Sequence, residues 1–416
     1  MMIRRTITVT FFWLAVSVMV HGQQAKEDIV KNVCLSAGSL ADYPLAFIQD
    51  TLTPPPAGKK PFYMSHYGRH GSRHLIEPTS YTEPLKTLRE AEMAGVLSDF
   101  GRMIWERLAK MDEEAADRYG ELTQVGVSQM RGIAKRMVKN FPELFTDTSY
   151  IDARSSIYIR CVLSMENVLQ ELYAHQPKMK IHHDAAVKDM SFILPGYQAS
   201  NAKERGETRE ARNVVLPTID GTRVASQFFT DMNYAKSVGM ATFAWNLFEL
   251  VSQLQNTPLR DSISLYEIFN DDELYDIWHR KNTGAYNNNH RGGITGILLG
   301  RMLDDANKAI AEGGVSAHLR FGHESVLLPL VCRMGVNNYD HEYSTVEQLD
   351  SALWHTYRIY PMASNLQVVF YRSNPEDNDI LVKVLLNERE VSLPIGTDTP
   401  PYYRWEDVKD YWSSKR

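Results

Sequence analysis

The pentapeptide RHGSR at residues 69–73 follows an apolar run at 61–64 and constrains the chain more than any other segment. It places the imidazole of His70 between the guanidinium groups of Arg69 and Arg73. Because unpartnered like charges disfavour one another, cations at this density indicate that an anion shares their space. The planar fork of an arginine matches the oxygens of a phosphate group. The pattern predicts a phosphate-binding loop with a nucleophilic histidine at its base; a solvated basic turn is the alternative.

A second pattern lies in residues 317–330, where an apolar-leaning stretch ends near Gly322 and is followed by His323 and Glu324. We expect a strand up to Gly322 and a helix that opens after these two residues. Catalytic groups of open α/β sheets lie outside the carboxyl ends of the strands. A His-Glu pair alone is weak evidence, because such neighbours are common on protein surfaces. Together with residues 69–73, however, it predicts an active site.

Several segments together resemble the histidine acid phosphatase family, in the branch of phytases and multiple inositol polyphosphate phosphatases. They are RHGSR at 69–73, ELTQVGVSQ at 121–129, ARSS at 153–156 with Arg160 and Ser164, FGHE at 321–324 and, more weakly, LVKVLLN at 381–387. The resemblance implies an α/β fold with a phosphoglycerate-mutase-like three-layer α/β core domain and an inserted all-helical cap domain. The active site would lie in the cleft between the two.

The resemblance also implies a phosphomonoesterase that hydrolyses inositol polyphosphates such as phytate. His70 would attack phosphorus to form a phosphohistidine, and Glu324 would give a proton to the leaving alcohol. We expect no metal and no cofactor, because arginines take the place of a divalent cation. The phosphate would be bound by Arg69, Arg73, Arg160 and His323.

Two positions depart from the family pattern. The family often has a proline two residues after the second arginine of the first motif, whereas this chain continues with His74 and Leu75. The inositol branch usually shows His-Ala-Glu, but the order here is His323-Glu324-Ser325. The carboxylate therefore stands at the position where the other branches carry aspartate.

We predict an α/β catalytic domain from residues 23–197 and 286–416, with a helical cap domain at 198–285 between its two parts. Apolar positions at helical spacing in 83–111 and 123–140 predict helices with a buried face.

Two polar segments are candidates for contacts with the rest of the substrate. Residues 199–212 interleave cations with glutamates, which is typical either of a solvated helix with ion pairs or of a basic rim over the active site. The stretch 286–293 is predicted to be a loop that also reaches substrate. The candidate substrate-binding residues are Lys203, Arg205, Arg209, Arg212, Asn289 and Arg291.

Residues 1–22 have the features of a secretory signal peptide. Arg4 and Arg5 precede a short apolar core, and compact residues follow it. The core is too short and too interrupted by polar residues for a membrane span. We therefore expect an exported product, periplasmic or secreted, without a membrane span and monomeric.

The charge balance excludes nucleic acid as a partner. The chain has 45 Lys+Arg and 51 Asp+Glu, a net charge of −6, and loss of the signal peptide would remove two arginines and no acidic residue. Proteins that bind nucleic-acid backbones carry a basic surplus, so a polyphosphorylated small molecule must be held by local clusters of cations. Of the three cysteines, we interpret Cys161 and Cys332 as buried free thiols, and an odd count permits at most one intrachain bridge.

Two alternatives remain open. A broad-specificity histidine acid phosphatase that acts on sugar phosphates or nucleotides would need only the phosphate-binding loop and not the cations of 203–212. A non-catalytic protein that binds phosphate ligands on the same fold would need neither His70 nor Glu324.

Overall fold

The structure is a computed structural model that describes residues 24–49, 51–197 and 214–416. The predicted signal peptide at 1–22 and the four cap cations between 203 and 212 lie outside the described residues. Within the described ranges, no helix has both the length and the apolar character that crossing a bilayer requires.

One mixed sheet forms the centre of the fold, with the strand order β3-β2-β4-β1-β5-β6-β7 and with β8 paired to β6. β1, β2, β3 and β4 run parallel, whereas β5 and β6 continue the sheet in antiparallel pairing. β1 is buried along nearly its whole length, as expected of a central strand covered on both faces. The strands are β1 Lys60–Arg69, β2 Tyr150–Ser155, β3 Lys180–Asp184, β4 Ala317–Gly322, β5 Asn365–Arg372, β6 Leu381–Leu386, β7 Arg389–Glu390 and β8 Tyr402–Arg404.

Helices cover both faces of this sheet and a third group packs beside it. The longer helices are α1 Gln24–Lys31, α2 Thr79–Met93, α3 Asp99–Ala115, α4 Gln124–Asn140, α5 Ile159–His175, α6 Met190–Ile193, α7 Thr222–Phe228, α8 Met232–Val238, α9 Met240–Gln253, α10 Asp271–Asn289, α11 Gly296–Glu312, α12 Glu324–Arg333, α13 Val346–Ser351, α14 Thr356–Ile359 and α15 Trp405–Ser413. Short 3-10 turns connect several of them.

The core on each side of the sheet follows from the alternation of side chains along β1. Tyr63 and Tyr67 pack into a cluster with apolar residues of α11, α12 and α15, whereas Met64 packs into another with α4 and α5. The sheet is thus the middle layer of three, and the predicted α/β class is confirmed.

A separate apolar cluster holds the helical part of the molecule together. It is built from α1, α2 and α3 together with α7, α8, α9 and α10. The helical part therefore includes α1, α2 and α3 as well as helices of the predicted cap segment. The domain boundaries at 198 and 285 stay a prediction.

The apolar periodicity of 83–111 corresponds to two helices, because Gly95 adopts a positive φ of 69° and Ser98 caps the start of α3. One local prediction needs correction. The polar stretch that begins at residue 286 is helical through Asn289 rather than a loop. The helix begins at a capping box. Near its end, the side-chain amide of Asn287 accepts a hydrogen bond from the N–H of Val214 and donates one to the carbonyl of the same residue.

Candidate active site

Three strands deliver the predicted catalytic residues to one edge of the sheet. In the parallel ladder Arg69 pairs with Gly322, and Ser155 pairs with Phe321. The residues that follow β1, β2 and β4 are therefore neighbours, since the carboxyl ends of parallel strands share an edge. The His70 and His323 rings meet there edge to face, with centroids 5.6 Å apart.

The imidazole of His70 is oriented for attack by its Nε2 atom. Nδ1 lies 2.8 Å from the carbonyl oxygen of Gly71, and since a carbonyl only accepts, Nδ1 carries the proton. Nε2 is buried and has no hydrogen-bond partner among the described residues. Burial lowers the pKa of His70 to about 4, against the opposing effect of Glu324 and with smaller contributions from Arg69 and Arg73. The ring is therefore neutral. Desolvation contributes more to this lowered pKa than the neighbouring cations do.

The second sequence motif, 121–129, supports the loop that carries His70. Thr123 caps α4, and a Cβ on Gly126 would lie 2.2 Å from the carbonyl oxygen of Ser72, so only glycine permits this approach. One turn later, Gln129 accepts a 2.8 Å hydrogen bond from the backbone N–H of Ser72. The motif thus acts on the loop through contacts with its backbone.

The third motif holds the other side of the loop. Ser164 accepts a hydrogen bond from the N–H of Gly71 at 3.1 Å and donates one to the carbonyl of Arg160 at 2.7 Å. The guanidinium of Arg160 lies 5.0 Å from the ring centroid of Tyr158, a favourable cation–π distance.

Arg69 is fixed by segments that are distant in sequence. Its backbone N–H donates to the carbonyl of Ser364 at 2.8 Å. Its Nη1 donates to the carbonyls of Ser39 at 2.6 Å and Tyr360 at 3.0 Å. Ala363, with a positive φ of 58°, donates its N–H to the carbonyl of His70. The short segment before β5 therefore holds both His70 and Arg69 in place through hydrogen bonds.

Several buried polar atoms around His70 make no well-aligned hydrogen bond among the residues that the structure describes, although Nε of Arg69 and Nε2 of His70 both lie within 3.5 Å of Oε2 of Glu324. A buried donor without a partner is costly, so a group of them marks a site for a ligand. Three of the five atoms belong to arginine donors and a fourth is the ring nitrogen predicted to attack phosphorus, a combination that suits a bound anion. These atoms are Arg69 Nε, His70 Nε2, Arg73 Nε, Arg160 Nε and Glu324 Oε2. We call Arg69, Arg73, Arg160 and His323 with His70 the phosphate cradle.

Glu324 opens α12 and reaches into this cradle. Its Oε2 lies 3.1 Å from Nε of Arg69 and 3.5 Å from Nε2 of His70. Burial would raise the pKa of this carboxyl, but Arg69, His70 and Arg73 hold it well below its usual range. The carboxyl is thus an anion beside these cations, and its side chain is 31% exposed.

His323 lines the cradle opposite His70. Burial lowers its pKa to about 3, so the ring is neutral. Nε2 lies 3.0 Å from the hydroxyl of Ser156, and Nδ1 lies 3.5 Å from Nη2 of Arg160. The ring also packs edge to face against Tyr158, 5.0 Å between centroids.

One atom each from His70, His323 and Glu324 lies within 4.8 Å of the others, a spacing that suits a metal ion. The guanidinium groups of Arg69 and Arg73 lie close enough to affect the charge of the same carboxylate. A metal cation would meet like charge here, and an anion would not. The surroundings therefore favour phosphate over metal, and the absence of a metal requirement stays a prediction.

The remaining candidate substrate residues divide into three groups. Lys203, Arg205, Arg209 and Arg212 lie outside the described residues. Asn289 lines a cavity of about 280 Å³ together with Tyr158 and Ser325, which stand two positions from the cradle residues Arg160 and His323. Arg291 pairs with Glu342 at 3.1 Å, on the segment after α12, rather than with a cradle residue.

Sequence reasoning did not assign roles to Ser156, Tyr158 or Ser364. Ser156 and Tyr158 lie between Arg154 and Arg160, within the third motif. Their position in a family motif was a signal that could have indicated a role in the site. Ser364 has no local signal, because it acts through its carbonyl oxygen. All three cysteines are free thiols, and Cys161 and Cys332 are buried as predicted.

Residues 69–387 match the family model of the histidine phosphatase superfamily, branch 2. The chain belongs to this superfamily. The matched range begins at the first cradle residue and ends at the turn after β6, so it includes all the segments on which the resemblance rested. The predicted family is confirmed.

Histidine phosphatases of known name and structure are similar to this chain. Human multiple inositol polyphosphate phosphatase 1 is 26% identical over 388 residues, which cover 83% of this chain and 77% of the human protein. The crystal structure of Bifidobacterium longum multiple inositol polyphosphate phosphatase with inositol hexasulfate has a TM-score of 0.68 at 15% identity, covering 91% of this chain and 97% of that one. The D. castellii phytase has a TM-score of 0.68 at 14% identity, covering 92% and 85%. These structural likenesses confirm the fold.

Proposed function

We propose that this histidine phosphatase is a phosphomonoesterase that hydrolyses inositol polyphosphates, including phytate, through a phosphohistidine. The observation that carries the proposal is the buried Nε2 of a neutral His70, set inside a cluster of arginines with the Glu324 carboxylate 3.5 Å away. The substrate class is supported by the name of the human relative and by the inositol hexasulfate bound to the Bifidobacterium protein.

In the first step, Nε2 of His70 attacks phosphorus and the bond from phosphorus to the ester oxygen breaks. The non-bridging oxygens gain charge, which Arg69, Arg73 and Arg160 stabilise. The N–H of Nδ1 stays on the carbonyl of Gly71, so the ring keeps its orientation as the P–N bond forms. The product of this step is a phosphohistidine and an alkoxide that needs a proton.

Glu324 supplies that proton. A phosphate dianion in the cradle neutralises Arg69 and Arg73, and this removes the interaction that holds the pKa of Glu324 low. The carboxyl is then protonated beside the leaving oxygen. In the second step the carboxylate takes a proton from water, the water oxygen bonds to phosphorus, and the P–N bond breaks to release phosphate.

We further propose that the cations of 203–212, with Asn289 and Arg291, contact the phosphates that are not being cleaved. The support is compositional, since a ligand with several phosphates needs cations beyond the cradle. A histidine phosphatase of broad specificity, acting on sugar phosphates or nucleotides, is the alternative. Export of the chain, with removal of 1–22, and a monomeric state are parts of the same proposal.

The test compares phosphate release from inositol hexakisphosphate, nitrophenyl phosphate, glucose 6-phosphate and AMP by the purified protein without added metal. We expect kcat/KM to be highest for inositol hexakisphosphate. Arg205→Glu and Arg212→Glu should lower that value selectively, whereas Arg404→Glu, an exposed change on β8, should not. Equal kcat/KM for all four substrates would favour the broad-specificity enzyme instead.

A further inference from the structure

We propose that Ser156 is a positioning residue that fixes the proton of His323 on Nδ1, the ring nitrogen on the side of Arg160. The inference rests on the proposed function, because it gives His323 the task of donating a hydrogen bond to the phosphate group. It assigns to the residue after β2 a role in preparing the cradle.

Ser156 is held rigidly against His323. It is fully buried, and its backbone N–H donates to the carbonyl of Phe321 on the neighbouring strand β4 at 2.9 Å. The N–H of His323 in turn donates to the hydroxyl of Tyr67 at 3.2 Å. Both residues are therefore anchored through their backbone N–H groups, and Oγ of Ser156 lies 3.0 Å from Nε2 of His323.

A neutral imidazole carries one N–H, so its position decides what His323 offers to a phosphate. With the proton on Nε2, Nδ1 would present a lone pair to the phosphate oxygens and repel them. With the proton on Nδ1, Nε2 must accept a hydrogen bond, and the Ser156 hydroxyl can donate it. Sγ of Cys161 also lies 3.5 Å from Nε2, but its thiol donates to the carbonyl of Gly322 at 3.2 Å, so Ser156 provides the donor that the productive tautomer needs.

The spacing to Arg160 agrees with this assignment. Nη2 of Arg160 lies 3.5 Å from Nδ1 of His323, which is too long for a strong hydrogen bond between them. Two N–H groups at this separation can both donate to one phosphate oxygen placed between them. If Arg160 and His323 made a strong hydrogen bond to each other, fewer of their N–H groups would remain to bind the phosphate.

The chain contains a matched control for a change at Ser156. Ser155 is the preceding residue and is equally buried, but its hydroxyl donates to the carbonyl of Ser156 at 2.8 Å. Ser155→Ala therefore removes a buried hydroxyl from the same strand end without touching His323.

The kinetic test uses nitrophenyl phosphate, whose leaving group needs little protonation. Hydrogen-bond partners that orient a metal-ligating histidine typically change activity by about 10–100-fold, and we take the same order for the partner of a phosphate-binding histidine. We expect Ser156→Ala to lower kcat by that factor with KM changed little, Ser156→Thr to stay close to the wild type, and Ser155→Ala to stay close as well. Wild-type activity in Ser156→Ala, or equal losses in Ser156→Ala and Ser156→Thr, would overturn the proposal.

The direct test is ¹⁵N NMR of histidine-labelled protein saturated with inorganic phosphate, because the shifts of the two ring nitrogens show which one is protonated. The resonances of His323 are those missing from a His323→Asn variant. We expect the proton on Nδ1 in the wild type and a shift toward Nε2 in Ser156→Ala. A proton on Nε2 in the wild-type phosphate complex would overturn the proposal even if Ser156→Ala fails to fold. Neither probe is an inositol phosphate, so a wrong substrate class would show only as poor turnover of inositol hexakisphosphate.

Discussion

The carboxylate of Glu324 lies 3.1 Å from Nε of Arg69, within the cluster of cations that would receive a phosphate group. The predicted proton donor is thus paired with one of the arginines predicted to bind phosphate. In the proposed mechanism, a phosphate ester would compete with the Glu324 carboxylate for Arg69 and release Glu324 from this ion pair. Such an exchange would link substrate binding to protonation of the acid.

Glu324→Gln should slow substrates with poor leaving groups by about 10²–10⁴-fold, since the amide cannot donate a proton to the departing alkoxide. Nitrophenyl phosphate should be affected much less, because nitrophenolate leaves without full protonation. The measurement is kcat for inositol hexakisphosphate and nitrophenyl phosphate in the same variant. Equal losses on both would place the donor elsewhere, with an acidic residue of the helical part as the next candidate.

His70→Ala should lower turnover by at least about 10³-fold, because it removes the nucleophile while the arginines remain. The fold and the binding of phosphate should be retained. Acid quench of the wild type with ³²P-labelled substrate should trap an acid-labile phosphoenzyme that the variant lacks. Substantial activity in the variant would rule out covalent catalysis by this residue.

Activity should persist in excess EDTA, because Arg69, Arg73 and Arg160 provide the positive charge that a metal would otherwise supply. The assay is phosphate release before and after chelation, followed by addition of Mg²⁺, Zn²⁺ or Ca²⁺. A loss on chelation that one of these ions restores would instead assign a metal to His70, His323 and Glu324.

Gly126→Ala should destabilise the protein by about 1–3 kcal/mol and lower kcat, since its Cβ would lie 2.2 Å from the carbonyl of Ser72. Gly132→Ala on the same helix is the control. Its Cβ would meet only the guanidinium end of Arg136 at 3.1 Å, a far smaller conflict than 2.2 Å to a backbone oxygen. Urea unfolding and turnover measured on both variants separate a steric effect on the catalytic loop from a general effect of alanine in α4.

Acid should destabilise the fold in part through His66. Burial lowers the pKa of this histidine to about 3 from its ordinary 6.5, so between these values the unfolded chain binds one more proton than the folded one. The free energy of unfolding therefore rises with pH in this window, and His66 alone should cost about 2 kcal/mol between pH 7 and pH 5. Urea unfolding at pH 7 and pH 5 measures this change in the free energy of unfolding. In His66→Gln the change should be smaller than in the wild type by about 2 kcal/mol. It should be unchanged in His175→Gln, an exposed change at the end of α5, and an equal pH dependence in both variants would contradict the assignment.

The sequence was sufficient to predict which side chains meet at the sheet edge. His70 and His323 each follow an apolar stretch and a glycine, and parallel strands bring such positions together regardless of the roughly 250 residues between them. Apolar spacing in 123–140 likewise predicted a helix with a buried face, and α4 spans Gln124–Asn140.

Contacts that depend on backbone atoms could not be predicted. The carbonyl of Ser364 that holds Arg69, and the proximity of Ser72 to Gly126, have no signature in residue type. The end of α10 was missed because a run of asparagines indicates a loop, and its helical state depends on the distant Val214. The burial that sets the pKa of His70 is likewise a property of the folded state.

The two carbonyls that anchor the Arg69 guanidinium come from opposite ends of the chain, 30 residues before it and 291 residues after it. Contacts with such large sequence separation form late, since loop closure must precede them. Recovery of phosphatase activity during refolding should therefore lag behind recovery of helical structure. A nascent chain that ends before Tyr360 carries the nucleophile without its complete anion-binding site, so catalysis begins only when folding is nearly finished.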